Sequence, residues 1–123
     1  MPAPSPALRR PLILHVEDNK AQQLTLKTIL EGNGCAVLQA STAEEALQLC
    51  RDAPVSLVLA DHMLSGSSGV ELAAQIKALK PTVPVVLHSG SPPENIRHVD
   101  GYIHKGEPVR QLLEFLRDLI NRF

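Results

Sequence analysis

An α/β fold, with a mostly parallel sheet covered by helices on both faces, is predicted by two features of this sequence. Four short apolar runs, Leu12-Ile13-Leu14-His15-Val16, Val55-Ser56-Leu57-Val58-Leu59-Ala60, Val83-Pro84-Val85-Val86-Leu87-His88 and Gly101-Tyr102-Ile103-His104, have the length and composition of buried strands. Between them the hydrophobic period lengthens to that of amphipathic helices, giving a β/α alternation. Each run also leads into residues able to handle a phosphoryl group or a metal ion: Glu17 and Asp18, then Asp61, then Ser89, then Lys105. In an open parallel sheet the carboxyl ends of the strands share one edge, and ligands bind there. Three carboxylates, a hydroxyl and an ammonium are therefore expected to converge.

Residues 1–11 contain Pro2, Pro4, Pro6 and Pro11 without an apolar core segment, so they read as a disordered, proline-rich lead-in and not as a secretory signal. The domain is expected to occupy residues 12–123. Its first helix should begin near Asn19, turn Leu26, Ile29 and Leu30 inward, and stop at Gly32-Asn33-Gly34. A short strand over Ala36-Val37-Leu38-Gln39 follows. Ser41 or Thr42 caps the second helix, whose stripe is Ala43, Ala46, Leu47 and Cys50, the i, i+3, i+4, i+7 pattern of one helix face. A third helix from about Val70 buries Leu72, Ala73, Ile76 and Leu79 before Pro81 closes it. The last helix starts near Glu107-Pro108 and runs its stripe through Val109, Leu112, Leu113, Leu116, Leu119, Ile120 and Phe123. Phe115 lies off that stripe and is expected at the surface, as a pointer to a partner.

A length of 123 residues suits one domain. With 12 basic against 13 acidic residues the net charge is −1, and no basic field exists to hold a nucleic-acid backbone directly. No apolar run reaches the length needed to cross a bilayer. Cys35 and Cys50 match no zinc or redox spacing and read as buried free thiols, which suits a cytoplasmic protein. His15, His62, His88 and His104 lie at or near strand ends, but no zinc-binding spacing links them. Side-chain alternation should turn His88 and His104 away from Ser89 and Lys105, and all four are expected to be packing histidines.

Four segments carry a family resemblance: Leu14-His15-Val16-Glu17-Asp18-Asn19, Asp61-His62-Met63-Leu64-Ser65-Gly66-Ser67-Ser68-Gly69, Val85-Val86-Leu87-His88-Ser89-Gly90 and Gly101-Tyr102-Ile103-His104-Lys105. Together they resemble the signature blocks of response-regulator receiver domains, the CheY-like superfamily, over about residues 12 to 123. The resemblance implies a doubly wound, five-stranded, flavodoxin-like sheet of order 2-1-3-4-5. It implies that Asp61 accepts a phosphoryl group from a histidine kinase or histidine phosphotransfer protein. Mg²⁺ would be held by Glu17, Asp18, Asp61 and the backbone carbonyl of Met63, while Lys105 and Ser89 meet the phosphoryl oxygens. Ser89 and Tyr102 would form the switch. Output would pass by contact to a downstream protein or a second copy of the domain, with slow self-dephosphorylation and no turnover of an external substrate.

Physical chemistry supports those residue types independently. A carboxylate attacking a phosphorus ringed by negative oxygens needs a hard cation to neutralise charge and hold in-line geometry. Taken singly, each residue has a plainer use: an acidic pair complements a helix dipole, a serine caps, a lysine is solvated, a tyrosine packs. Their joint occurrence at the ends of the right strands favours the receiver.

The sequence also departs from the family. Gly106 follows Lys105 where the family has a cis-joined proline, and a non-proline cis bond costs about 2.5–4 kcal/mol, so a trans bond or a mobile loop is expected. Ser65 stands where proline is common. The segment from Ser91 to Asp100 is short and lacks a helical stripe, so the fourth helix should be short or irregular, and the output surface with it. Two rivals follow: a phosphorylation-independent receiver-like scaffold, and a Mg²⁺-dependent phosphohydrolase. The latter would need a second aspartate where Met63 stands. A chain that ends with its last helix fits either a stand-alone domain or a piece of a longer protein.

Overall fold

The computed structural model describes residues 10–122. Five parallel strands form one sheet: β1 (Leu12–Val16), β2 (Ala36–Ala40), β3 (Leu57–Ala60), β6 (Val85–Ser89) and β7 (Gly101–His104), in the order β2-β1-β3-β6-β7. Two further strands, β4 (Met63–Leu64) and β5 (Ser67–Ser68), pair as a small antiparallel hairpin just after β3. The helices are α1 (Lys20–Gly32), α2 (Ala43–Asp52), α3 (Gly69–Leu79) and α4 (Val109–Arg122). The sheet order agrees with the sequence expectation once the hairpin, which no periodicity announced, is set aside.

Alternation along the strands divides the core in two. Leu14, Val16, Val58, Ala60, Val85 and Leu87 pack with Ala43, Ala46 and Cys50 of α2 and with Leu72, Ala73 and Ile76 of α3. Ile13, Leu57, Leu59, Val86 and Ile103 pack on the opposite side with Leu30 of α1 and Leu112, Leu116 and Leu119 of α4. Apolar residues on both faces are what a sheet sandwiched between helix layers requires.

Local sequence sets the helix ends. Asn19 caps α1 by accepting from the Gln22 N–H, and Thr42 and Ser68 do the same for Glu45 and Glu71 at α2 and α3. Gly34, at φ +88°, turns the chain out of α1 into β2. Pro11, assigned above to the lead-in, already belongs to the sheet region: its carbonyl accepts from the Ala36 N–H at 2.9 Å. The rest of the lead-in, residues 1–9, lies outside the described residues, as does Phe123.

Three surface expectations need correction. Phe115 is half-buried, because Gly101 leaves room for it: a Cβ at Gly101 would lie 2.4 Å from the ring. Val109 is exposed at the first position of α4, and the helix first reaches the core at Leu112, three residues on. His104 is exposed instead of packed, and its Nδ1 accepts the Gly106 N–H at 2.8 Å.

No helix joins β6 to β7 among the described residues; Gly90–Asp100 is irregular. Asp100 anchors its end. The Asp100 N–H donates to Val85 O at 2.8 Å, its Oδ2 accepts from the Val85 N–H at 2.7 Å, and the same oxygen pairs with Lys77 Nζ of α3 at 2.6 Å. One carboxylate thus closes the sheet edge and ties it to a helix. Asp100→Ala should leave the Val85 N–H without its carboxylate partner and cost about 1–3 kcal/mol in denaturant unfolding, with an unchanged midpoint overturning the assignment.

His15 is buried and its Nδ1 has no hydrogen-bond partner among the described residues, and burial followed by the positive fields of His88 and Lys105 lowers its pKa to about 4. His88, on the same face of the sheet, is lowered to about 4 by burial and then by Lys105. Both are packing histidines held neutral. The unfolded chain binds their protons from about pH 6.5 downward while the native state refuses them, so stability is full above that pH and is lost as pH falls toward about 4. Denaturant midpoints compared at about pH 7 and about pH 5 should fall for the wild type and fall less for His15→Leu.

Candidate functional site

The carboxyl ends of β1, β3, β6 and β7 meet at one edge. Glu17 follows β1 and remains in the ladder, its N–H donating to Ala40 O at 3.0 Å; Asp61 follows β3 and its N–H donates to Val16 O at 3.0 Å. Backbone pairing therefore sets the two carboxylates side by side. α1 covers one face and α2 the other, so the sheet order reverses at β1, where doubly wound sheets open a crevice.

Lys105 reaches this crevice from the edge strand. Its Nζ donates to Glu17 Oε1 at 2.8 Å, to Asp61 Oδ2 at 3.2 Å and to Gln22 Oε1 at 2.5 Å. Burial would lower the Lys105 pKa, but the hydrogen bonds and charges of Glu17 and Asp61 outweigh it and the net shift is upward. The ammonium is thus held charged over the aspartate. Glu17 is almost wholly buried, at 2 % exposure, so without this partner its carboxylate would be a costly buried charge.

The acidic turn is braced from below. Buried Gln23 donates through Nε2 to Glu17 O and to Ser41 Oγ, and the Asn19 N–H reaches Glu17 Oε2 at 3.3 Å. Asp18 is exposed and its Oδ2 accepts from Ser65 Oγ, in the turn between β4 and β5, at 3.3 Å. Gly69 lets α3 begin against the site: a Cβ there would lie 2.6 Å from Asp61 O and 2.5 Å from Leu87 Cδ2. Met63, at the start of the hairpin, is 71 % exposed through its side chain.

Ser89 ends β6, and its carbonyl collects two bonds, from the Lys105 N–H at 3.0 Å and from Tyr102 Oη at 3.1 Å. Its Oγ accepts the Ser91 N–H at 3.4 Å. The Lys105–Gly106 bond is trans, like every peptide bond among the described residues. The Gly106 N–H, which a proline would lack, is taken up by His104 Nδ1.

The structure therefore brings Glu17, Asp61 and Lys105 into direct contact, and places Ser89 at the end of β6 and Tyr102 in β7, joined to the Lys105 backbone through the Ser89 carbonyl. Asp18 accepts from Ser65 Oγ, whereas Glu17 and Asp61 share the Lys105 ammonium. Gln22 and Gln23 were not singled out from sequence, and Ser65 was noted there only as a departure from the family's proline. The available signal was spacing: Gln22 lies one helical turn after Asp18, close enough in a helix to face the same edge.

The donor set suits a hard cation. Glu17, Asp18 and Asp61 offer oxygens, and Mg²⁺ needs only one or two carboxylates because it keeps several waters. No trio of His, Cys, Asp or Glu among the described residues is already gathered as a metal cage. Lys105 takes up the charge of Glu17 and Asp61 instead. A cation entering here would have to compete with that ammonium.

The response regulator receiver domain family matches residues 13–117. The chain is 27 % identical over 117 residues to the autoinducer 1 sensor kinase/phosphatase LuxN of Vibrio harveyi, a match covering 91 % of this chain and 14 % of that protein. It superimposes on a CheY-like response regulator receiver domain protein from Methanospirillum hungatei with TM-score 0.87 and 28 % identity, over 93 % of this chain and 96 % of the other. The response regulator protein TrrA of Thermotoga maritima, solved in complex with Mg²⁺-BeF, gives TM-score 0.83 and 26 % identity over 89 % of this chain and 98 % of the other. Among the described residues no helix is long and apolar enough to cross a membrane. Family match, sheet order and the acidic edge with its lysine agree: the chain belongs to the response regulator receiver domains of two-component systems.

Proposed function

We propose that this chain is a phosphoacceptor receiver of a two-component or phosphorelay pathway in the cytoplasm, phosphorylated on Asp61 by a histidine kinase or histidine phosphotransfer protein and signalling by protein contact. The observation that carries the proposal is the Lys105 ammonium held against both Glu17 and Asp61. A phosphorus already ringed by oxygens repels an attacking carboxylate, and two preorganised cations relieve that repulsion. One is Lys105. The other is Mg²⁺, for which Glu17, Asp18, Asp61 and the Met63 carbonyl are the proposed oxygen donors, and which neutralises phosphoryl charge when bound.

In the transfer, an Asp61 carboxylate oxygen forms the new O–P bond as the donor's N–P bond breaks, and the freed imidazole leaves with the electron pair. Lys105 gives up a carboxylate contact for a phosphoryl oxygen. Ser89 supplies a hydroxyl donor once its Oγ turns to the same group, and the Tyr102 contact to Ser89 O is then the part of the loop that senses the change. Water reaching the phosphorus reverses the modification slowly, which limits the signal without making the domain an enzyme toward outside substrates. A second copy of the domain or a downstream protein would read the surface around β7 and the irregular segment before it.

Intact mass after incubation with Mg²⁺ and a small acyl-phosphate donor should show one base-labile phosphoryl addition that disappears without metal and in Asp61→Asn. No addition to folded wild-type protein would instead favour the phosphorylation-independent scaffold. Lys105→Ala should accept phosphate slowly and lose the partner response; full partner affinity in that phosphorylated variant would refute the role given to the ammonium.

A further inference from the structure

Among the described residues, Lys105 leaves β7 in a loop whose start is tied by backbone hydrogen bonds to its own strand and to Ser89. The Lys105 N–H bonds to Ser89 O, the Gly106 N–H to His104 Nδ1 and the Glu107 N–H to His104 O. The side chain then crosses to β1 and β3, so acceptors at its far end decide where the ammonium sits. An ammonium has three N–H donors, and here all three are used, on Glu17, Asp61 and Gln22. Two of those acceptors are carboxylates that a cation or a phosphoryl group at this site would also claim. Gln22 is the neutral one and lies outside the acidic set.

Gln22 is itself well placed to serve as an anchor. It sits in the first turn of α1, its N–H capped by Asn19 Oδ1 at 3.0 Å. The next residue, Gln23, is buried and bonded to Glu17 O, which locks this turn to the acidic one. Asn19, Gln22 and Gln23 thus fix the start of α1 so that one amide oxygen faces the lysine.

We propose that Gln22 is a positioning residue: its side-chain oxygen keeps the Lys105 ammonium over Asp61 when Glu17 and Asp61 are drawn into metal and phosphoryl contacts. For its consequence in phosphoryl uptake this rests on the phosphoacceptor reading of Asp61, but the placement of the ammonium does not. A carboxylate at residue 22 would hold the ammonium at least as firmly, and an apolar side chain would not hold it.

The test is proton exchange of the Lys105 ammonium, followed by NMR in the full, isotopically labelled chain without any phosphodonor, in the absence and presence of Mg²⁺. Gln22→Leu should speed that exchange about three- to tenfold, the effect expected for one hydrogen bond, and the difference should widen when Mg²⁺ is added. Gln22→Glu should exchange no faster than wild type. A purely structural role for Gln22 would alter backbone amide shifts in α1 without this opposite response of the two variants. Unchanged Lys105 exchange in a folded Gln22→Leu protein, with and without Mg²⁺, would overturn the proposal. Failure of wild type to take up phosphate would overturn the phosphoacceptor reading alone, leaving the anchoring result to be judged on the exchange data.

Discussion

The ammonium of Lys105 ties the edge strand of the sheet to the acidic edge formed by β1 and β3, whose own register is set by backbone pairing. It comes from the edge strand β7 and meets Glu17 after β1, Asp61 after β3 and Gln22 in α1. Glu17 is buried, and a buried carboxylate without a partner is destabilising by several kcal/mol in order of magnitude. The ion pair is therefore a structural necessity for the acidic turn, and on the proposed function it is also the feature that prepares Asp61 for an incoming anion. Any event that redistributes charge at Asp61 acts on Lys105, whose backbone follows β7 and is bonded to Ser89 at the start of the loop between β6 and β7.

That loop is where this chain differs most from the pattern it resembles. With no helix between β6 and β7 among the described residues, the sheet edge is closed by Asp100, whose carboxylate caps the Val85 N–H and pairs with Lys77. Gly106 supplies an N–H where a proline would have none, and His104 accepts it. These contacts are short-range and polar, in place of the apolar packing that a helix would bring. On the proposed reading, the link from Ser89 to Tyr102 runs through a hydrogen bond that a local change of charge can break.

Much of the fold was legible because its signals are local. Continuous apolar runs, the helix starts at Asn19 and Thr42, and the Gly32-Asn33-Gly34 stop each act within a few residues. The hairpin of β4 and β5 was not legible, since two-residue strands leave no periodicity. Phe115 and Val109 were misplaced for a related reason: burial on α4 depends on what the sheet presents opposite, and Gly101 presents a gap that no helical wheel contains. His104 was misread because its use is a hydrogen bond to a glycine two residues on, invisible to an argument about strand faces.

At the site, the sequence by itself determined which chemistry is available: the acidic pair, the aspartate, the serine and the lysine stand at successive strand ends, and strand alternation with a parallel sheet obliges those ends to meet. Only the tertiary structure decided how they are paired. It joined Lys105 to Glu17, Asp61 and Gln22, gave Asp18 to Ser65, and set Tyr102 on the carbonyl of Ser89. The reason is that side-chain partners separated by tens of residues are chosen by strand order, loop length and burial acting together, and none of these is a property of any one segment.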